Sequence, residues 1–147
     1  MKSLLISACL CGEKCRYDGR DNLLKNFEVI TQNFLIIPVC PEVLGGLETP
    51  RSPSEISGGR VITRCGKDVT DEYMRGAHLA LKAALESKAQ YALMKAKSPS
   101  CGCGKIYDGT FSGTLTVGDG ITVRLLKENG IRVFDETQVC ELLEHTK

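Results

Sequence analysis

Apolar residues in this chain gather into short runs, and three of the runs lead into a cysteine. They are Ser3–Ala8 before Cys9, Phe34–Val39 before Cys40, and Tyr91–Met94, which continues through Lys97-Ser98-Pro99-Ser100 to Cys101. Each reads as a short buried β-strand that gives way to a loop rich in glycine or proline. Phe34–Val39 lacks polar alternation, the pattern of a strand covered on both faces. Between the first two runs, Leu23, Phe27 and Ile30 fall on one helical face, which predicts a helix over Asn22–Thr31 capped by Asp21.

Three prolines and two glycines make Cys40–Ile56 an irregular loop. A ribbon should follow, pairing Arg60–Arg64 with Lys67–Val69 across Cys65-Gly66. The longest helix is expected over Thr70–Lys88, burying Tyr73, Ala77, Ala80, Leu81 and Ala84, with Asp71 and Glu72 at its positive end. Ile106–Gly113 reads as extended or turning chain. Gly118-Asp119-Gly120 opens a helix through Asn129, with Asp119 as its cap and Gly130 just past its end. Ile131–Phe134 is a fourth strand. Asp135 and Gln138 form a capping box for a last helix that buries Val139, Leu142 and Leu143. This order predicts one three-layer α/β domain over residues 1–147, built on a mainly parallel sheet. Ligands of such sheets bind outside the carboxyl ends of the strands. Parallel neighbours would therefore bring Cys9, Cys40 and Cys101 to one rim.

Charge narrows the partners. Lys plus Arg number 19 against 18 for Asp plus Glu, so the net charge of +1 gives no argument for a nucleic acid polymer or a membrane surface. No apolar stretch approaches the roughly 18 residues of a membrane span. The segment before Cys9 is too short for a signal h-region, so the reading is of a mature cytoplasmic protein. Eight cysteines then favour metal or thiol chemistry over the disulfide scaffold of small secreted chains. Cys65 and Cys140 stand apart and read as residues without a role.

Three thiolates from three strand ends make a soft-metal site with one coordination position open. The C-x-C-x3-C spacing of Cys9, Cys11 and Cys15 is not the C-x2–4-C pairing of structural zinc, but spacing alone leaves both zinc and an iron–sulfur cluster open. Glu42 and Ser98 lie close in sequence to Cys40 and Cys101 and are the candidate acid–base groups, although a solvated loop acid and a turn residue are their commoner uses. Arg16, Asp18, Arg51 and Asp108 occupy loops beside the site, where they could orient a polar heterocycle or pair with one another. His78 shares a helical line with Met74 and Leu81 and should be packed. His145 lies near the C-terminus, and neither histidine has a triad-like setting. Gly118-Asp119-Gly120 is explained by the helix cap, without a phosphate-binding pattern.

Longer motifs run through these same residues. Ser7-Ala8-Cys9-Leu10 with Cys15-Arg16-Tyr17-Asp18-Gly19, then Cys40–Leu47 with Pro50-Arg51, then Ser98–Gly102 with Tyr107–Phe111, resemble the thiouracil desulfurase family, also known as bacterial domain of unknown function 523. The resemblance implies a single-domain Rossmann-like fold holding a [4Fe-4S] cluster on three cysteines, with the fourth iron open. It implies removal of sulfur from a small thiolated heterocycle such as thiouracil, water replacing sulfur without net redox change. Carried over by motif, Cys9, Cys40 and Cys101 would be the ligands, Glu42 the proton-transfer group and Ser98 a second relay. Cys11 and Cys103 stand beside two of these ligands, and Cys15 is a further competitor. A non-catalytic structural-zinc or metal-sensing protein would use the same thiols.

Overall fold

The computed structural model describes residues 1–147 and sets the four apolar runs side by side. In chain order the elements are β1 (Lys2–Ser7), α1 (Phe27–Asn33), β2 (Phe34–Val39), α2 (Pro41–Leu44), β3 (Ser54–Ser57), β4 (Arg60–Thr63) and α3 (Thr70–Glu86). There follow β5 (Tyr91–Met94), β6 (Lys105–Tyr107), β7 (Leu115–Val117), α4 (Ile121–Glu128), β8 (Arg132–Asp135) and α5 (Val139–His145). The central sheet has the order β2-β1-β5-β8, and every pairing in it is parallel.

Strand alternation divides the core into two layers, giving the Rossmann-like α/β fold. Leu5 and Met94 point to one face, where Ala80, Ala84, Val123 and Leu126 of α3 and α4 cover them. Leu4, Ile6 and Leu93 point to the other, against Ile30 of α1 and Leu142 of α5. Leu4, Leu5 and Ile6 are fully buried, each contributing about 1.5–3 kcal/mol relative to exposure, which anchors β1 at the middle of the sheet. The expected full cover of Phe34–Val39 is not found. β2 is an edge strand with Leu35 56% exposed, and an edge also tolerates Pro38, which has no N–H to give a neighbour.

Several local expectations change for identifiable reasons. The first helix begins at Phe27, not Asn22, because Asn22 N and Leu24 N bond to Cys9 O and Leu10 O (2.9 and 3.1 Å). Asp21 therefore caps no helix and instead accepts Leu23 N. The 40–56 loop contains the single-turn α2 and the strand β3. The ribbon has its expected arm, with Ile62 bridged to Asp68, but its main pairing is β3 with β4. α4 is entered through Gly120, while Asp119 reaches across to Gly104 N and Lys127 Nζ. His78 is exposed rather than packed, because α3 turns that side to solvent. The Asp135–Gln138 capping box is present and leads through a 3₁₀ turn into α5.

The ribbon is fixed to α3 by a small polar cluster. Asp68 accepts Thr70 N (2.9 Å) and Thr70 Oγ1 (2.6 Å), and Thr70 Oγ1 accepts Val61 N (2.9 Å). On the other side of α3, α2 sits backbone to backbone. A Cβ on Gly76 would come 1.8 Å from Pro41 O, and one on Gly45 would come 1.9 Å from Glu72 O. Two facing glycines thus set how closely α2 lies on α3, and α2 carries Glu42.

Candidate active site

Chain direction across the sheet reverses beside β1, so the crevice outside its carboxyl end is the topological switch point. A cavity of about 550 Å³ opens there. Cys9 reaches it from a 3₁₀ turn, Ala8–Cys11, which directly continues β1. Cys40 is the residue between β2 and α2, with Pro41 in the first helical position. Cys101 does not lie at a strand end. It sits seven residues beyond Met94 and returns to the rim because its loop packs on the start of α4, where Ile121 N donates to Pro99 O (2.8 Å) and Thr122 N to Ser100 O (3.0 Å). The loop carbonyls thereby satisfy N–H groups that the helix leaves unpaired. Ser100 and Thr122 bond through their buried hydroxyls (2.8 Å) and lock the joint.

The crowding of thiols resolves by direction. Cys11 Sγ points to Ser7 O and packs in one core layer, while Cys103 Sγ points to Val133 O and packs in the other. Neither borders the cavity, whereas Cys15 does. Cys40 Sγ donates to Cys15 O (3.8 Å), and the neighbouring thiols of Cys40 and Cys9 raise the Cys15 pKa. The Cys15 thiol in turn lowers the Cys40 pKa to about 7, helped by Val43 N–H. It also lowers that of Cys9, assisted by Asn22 Nδ2, which donates to Cys9 Sγ at 3.3 Å. Burial pushes the Cys101 thiol up. Cys65 and Cys140 are exposed and do not line the cavity.

Glu42 is not a solvated loop acid. Its side chain is 19% exposed; Oε1 accepts the Tyr73 hydroxyl and Arg51 Nε (3.5 Å). Arg51 is more deeply placed, at 8% exposed, and its Nη2 donates to Cys15 O (2.9 Å). One guanidinium therefore ties the carboxylate to the cysteine loop. Burial first, and the nearby Glu42 charge second, drive the Tyr73 pKa well above its ordinary value, so Tyr73 is a donor throughout the neutral range. Ser98 is a turn residue that also lines the cavity; its Oγ accepts Ser100 N and Cys101 N, both at 3.1 Å. With its lone pairs so engaged, its proton is left for the cavity.

The other expected residues divide. Arg16 borders the cavity, held by Asp18 (2.9 Å) and Asn22 Oδ1 (3.0 Å). Asp18 stands behind it, outside the lining. Asp108 also lies outside, with its carboxylate turned to Thr110 N (3.0 Å). Sequence reasoning did not single out Tyr73, Asn22 or Lys95 as site residues. Tyr73 reads as part of an apolar stripe, and nothing in the sequence separates its hydroxyl from its ring. Lys95 Nζ is paired with Glu136 (2.7 Å) at the end of β5.

Fold and site define a parallel α/β domain with a thiol-lined cavity at its switch point and a fixed carboxylate beside the thiols. A family model described as 2-thiouracil desulfurase matches residues 4–138, and the chain belongs to that family. It is 41% identical over 150 residues to the uncharacterized protein YbbK of Bacillus subtilis (strain 168), covering 95% of this chain and 99% of that one. It is 44% identical to the [4Fe-4S]-dependent thiouracil desulfidase TudS, whose solved structure superimposes with a TM-score of 0.93 over 99% of this chain and 97% of that one. No helix here is long and apolar enough to cross a membrane.

Proposed function

We propose that this protein is a [4Fe-4S]-dependent desulfidase that converts a small thiolated heterocycle such as 2-thiouracil to its oxo form and sulfide. The observation that carries the reading is that Cys9, Cys40, Cys101, Glu42 and Ser98 all border one cavity, in a chain of this family. The donor set fits the cluster. Four thiols and no histidine line the cavity, a composition suited to iron and sulfur. Cys9, Cys40 and Cys101 are assigned as the ligands, with Cys15 left unligated beside them.

When bound on three protein ligands, such a cluster supplies an open Lewis-acidic iron toward which a thiocarbonyl sulfur can be drawn. The protein supplies the rest. Glu42, oriented by Tyr73 and Arg51, takes a proton from the water whose oxygen adds to the thiocarbonyl carbon. That proton goes on to the departing sulfur, and the proton left on the added oxygen is released as the carbonyl forms, so C=S and water become C=O and hydrogen sulfide with no electrons gained or lost. Ser98 Oγ donates toward the heterocycle, and Arg16 and Arg51 face its polar edge. The reaction requires a small-molecule substrate and no nucleic acid polymer. Its free thiols and cluster suit the reducing cytoplasm.

Anaerobically reconstituted variants test the assignment. Glu42→Gln should keep its iron and lose at least about 10²-fold in turnover, the range of a positioned acid–base group. Cys9→Ser, Cys40→Ser and Cys101→Ser should each fail to hold iron, while Cys15→Ser retains it. Wild-type turnover in Glu42→Gln, or full iron loading in any of the three ligand variants, would refute the corresponding role.

A further inference from the structure

The loop between β6 and β7 plays no part in the chemistry above, yet it is held from several directions. Glu55 of β3 is buried, and its Oε1 accepts both Gly109 N (2.9 Å) and Phe111 N (3.2 Å). Gly109, with φ +93°, runs so close to β3 that a Cβ would come 2.6 Å from Ile56 O. Phe111 itself has φ +56°, a left-handed conformation that residues with side chains rarely adopt. Such backbone persists where the surroundings over-determine it, and it clusters at ligand sites. The product of these constraints is a half-buried aromatic ring at the border of the thiol-lined cavity. The Arg64 guanidinium lies over that ring, 5.6 Å from its centroid.

We propose that Phe111 is the surface on which the planar heterocycle of the substrate stacks, and that Glu55 is the positioning residue that holds it there. The proposal rests on the desulfidase reading and adds to it the source of recognition for the ring itself. Planar heterocycles stack on aromatic faces irrespective of their hydrogen-bonding edge. The thiols and charged groups of the cavity offer contacts to atoms at the edge of a ligand, and a flat apolar partner is what they lack. Among the other aromatic residues at the cavity, Tyr73 is committed to Glu42, Tyr17 is 44% exposed, and Tyr107 is carried by β6 rather than by the loop that Glu55 holds. Phe111 is the one whose backbone is fixed by a buried acid.

The test uses the reconstituted holoenzyme, with 2-thiouracil turnover and calorimetric binding of uracil as separate readouts. Phe111→Leu, which keeps apolar volume but removes the ring face, should raise KM and weaken uracil binding about tenfold, about 1.4 kcal/mol. Bound iron and Tm should stay unchanged, and kcat should fall by less than about twofold. Phe111→Tyr should recover most of the affinity. Glu55→Ala should follow Phe111→Leu in KM, and Glu55→Gln, which retains an acceptor oxygen, should recover part of the loss. Unchanged KM and uracil affinity in Phe111→Leu, equal impairment in Phe111→Tyr, or transfer of the whole effect to Tyr17→Leu would overturn the proposal alone. Absence of sulfide release by the wild type would overturn the desulfidase reading and this proposal with it.

Discussion

Replacing Gly76 by alanine places a methyl carbon 1.8 Å from the Pro41 carbonyl oxygen and 2.6 Å from the carbon it is bonded to. Both atoms are backbone, so no side chain can rotate away. Ordinary contact begins at 3.4 Å, and the two segments must therefore part by about 1.6 Å. Overpacking of this kind costs about 1–3 kcal/mol, and for a chain of this size each kcal/mol lowers Tm by about 2–4 °C. Activity should suffer more than stability. α2 carries Glu42 and follows Cys40 directly, and a 1 Å misplacement of a reacting group can cost about 10²-fold. Thermal denaturation followed by circular dichroism and kcat/KM for 2-thiouracil measure the two effects separately. Gly45→Ala meets Glu72 O at 1.9 Å across the same contact, so the double variant should be less than additive. Wild-type Tm and kcat/KM in Gly76→Ala would show that the glycine contact does not place Glu42.

Two further outcomes follow from individual hydrogen bonds of the structure. Thr70→Val leaves Val61 N–H buried without an acceptor and Asp68 short of a donor, and should cost about 1–3 kcal/mol in chemical denaturation, whereas Thr70→Ser should not; equal stability of the Val and wild-type proteins would refute the bridge. Asn22→Ala removes the N–H donor to Cys9 Sγ; with Cys9 as a ligand, as proposed, loss of that bond should move the cluster potential to more negative values and hasten bleaching in air. An unchanged potential would remove Asn22 from the ligand environment.

How much of this is legible without coordinates depends on whether the signal is local. Strands β1, β2, β5 and β8 announce themselves as apolar runs, and the stripe on α3 follows helical spacing over the whole element. The first helix misleads because Leu23, Phe27 and Ile30 fit a helical face, while the bonds that hold Asn22 and Leu24 extended come from Cys9 and Leu10, more than ten residues away. Cys101 reaches the rim as its sequence position suggests, but its loop is held there by the start of α4 and not by the end of a strand. Glu42 shows the limit most clearly. Its position beside Cys40 is local, but its partners Tyr73 and Arg51 meet it through tertiary packing that no spacing rule encodes. Likewise, the sequence crowds Cys11 and Cys103 against the candidate ligands, and only the fold turns them into opposite core layers.

On the proposed function, catalysis by this chain depends on a cluster held in the thiol-lined cavity. Protein should be reconstituted anaerobically with iron and sulfide, and in parallel loaded with zinc, and both incubated with 2-thiouracil in ¹⁸O-labelled water. The iron–sulfur form should give equal amounts of sulfide and uracil, with the label in the new carbonyl and no added reductant or oxidant, and the zinc form neither product. Equal turnover by the zinc form, or uracil whose oxygen does not come from water, would contradict the proposed function.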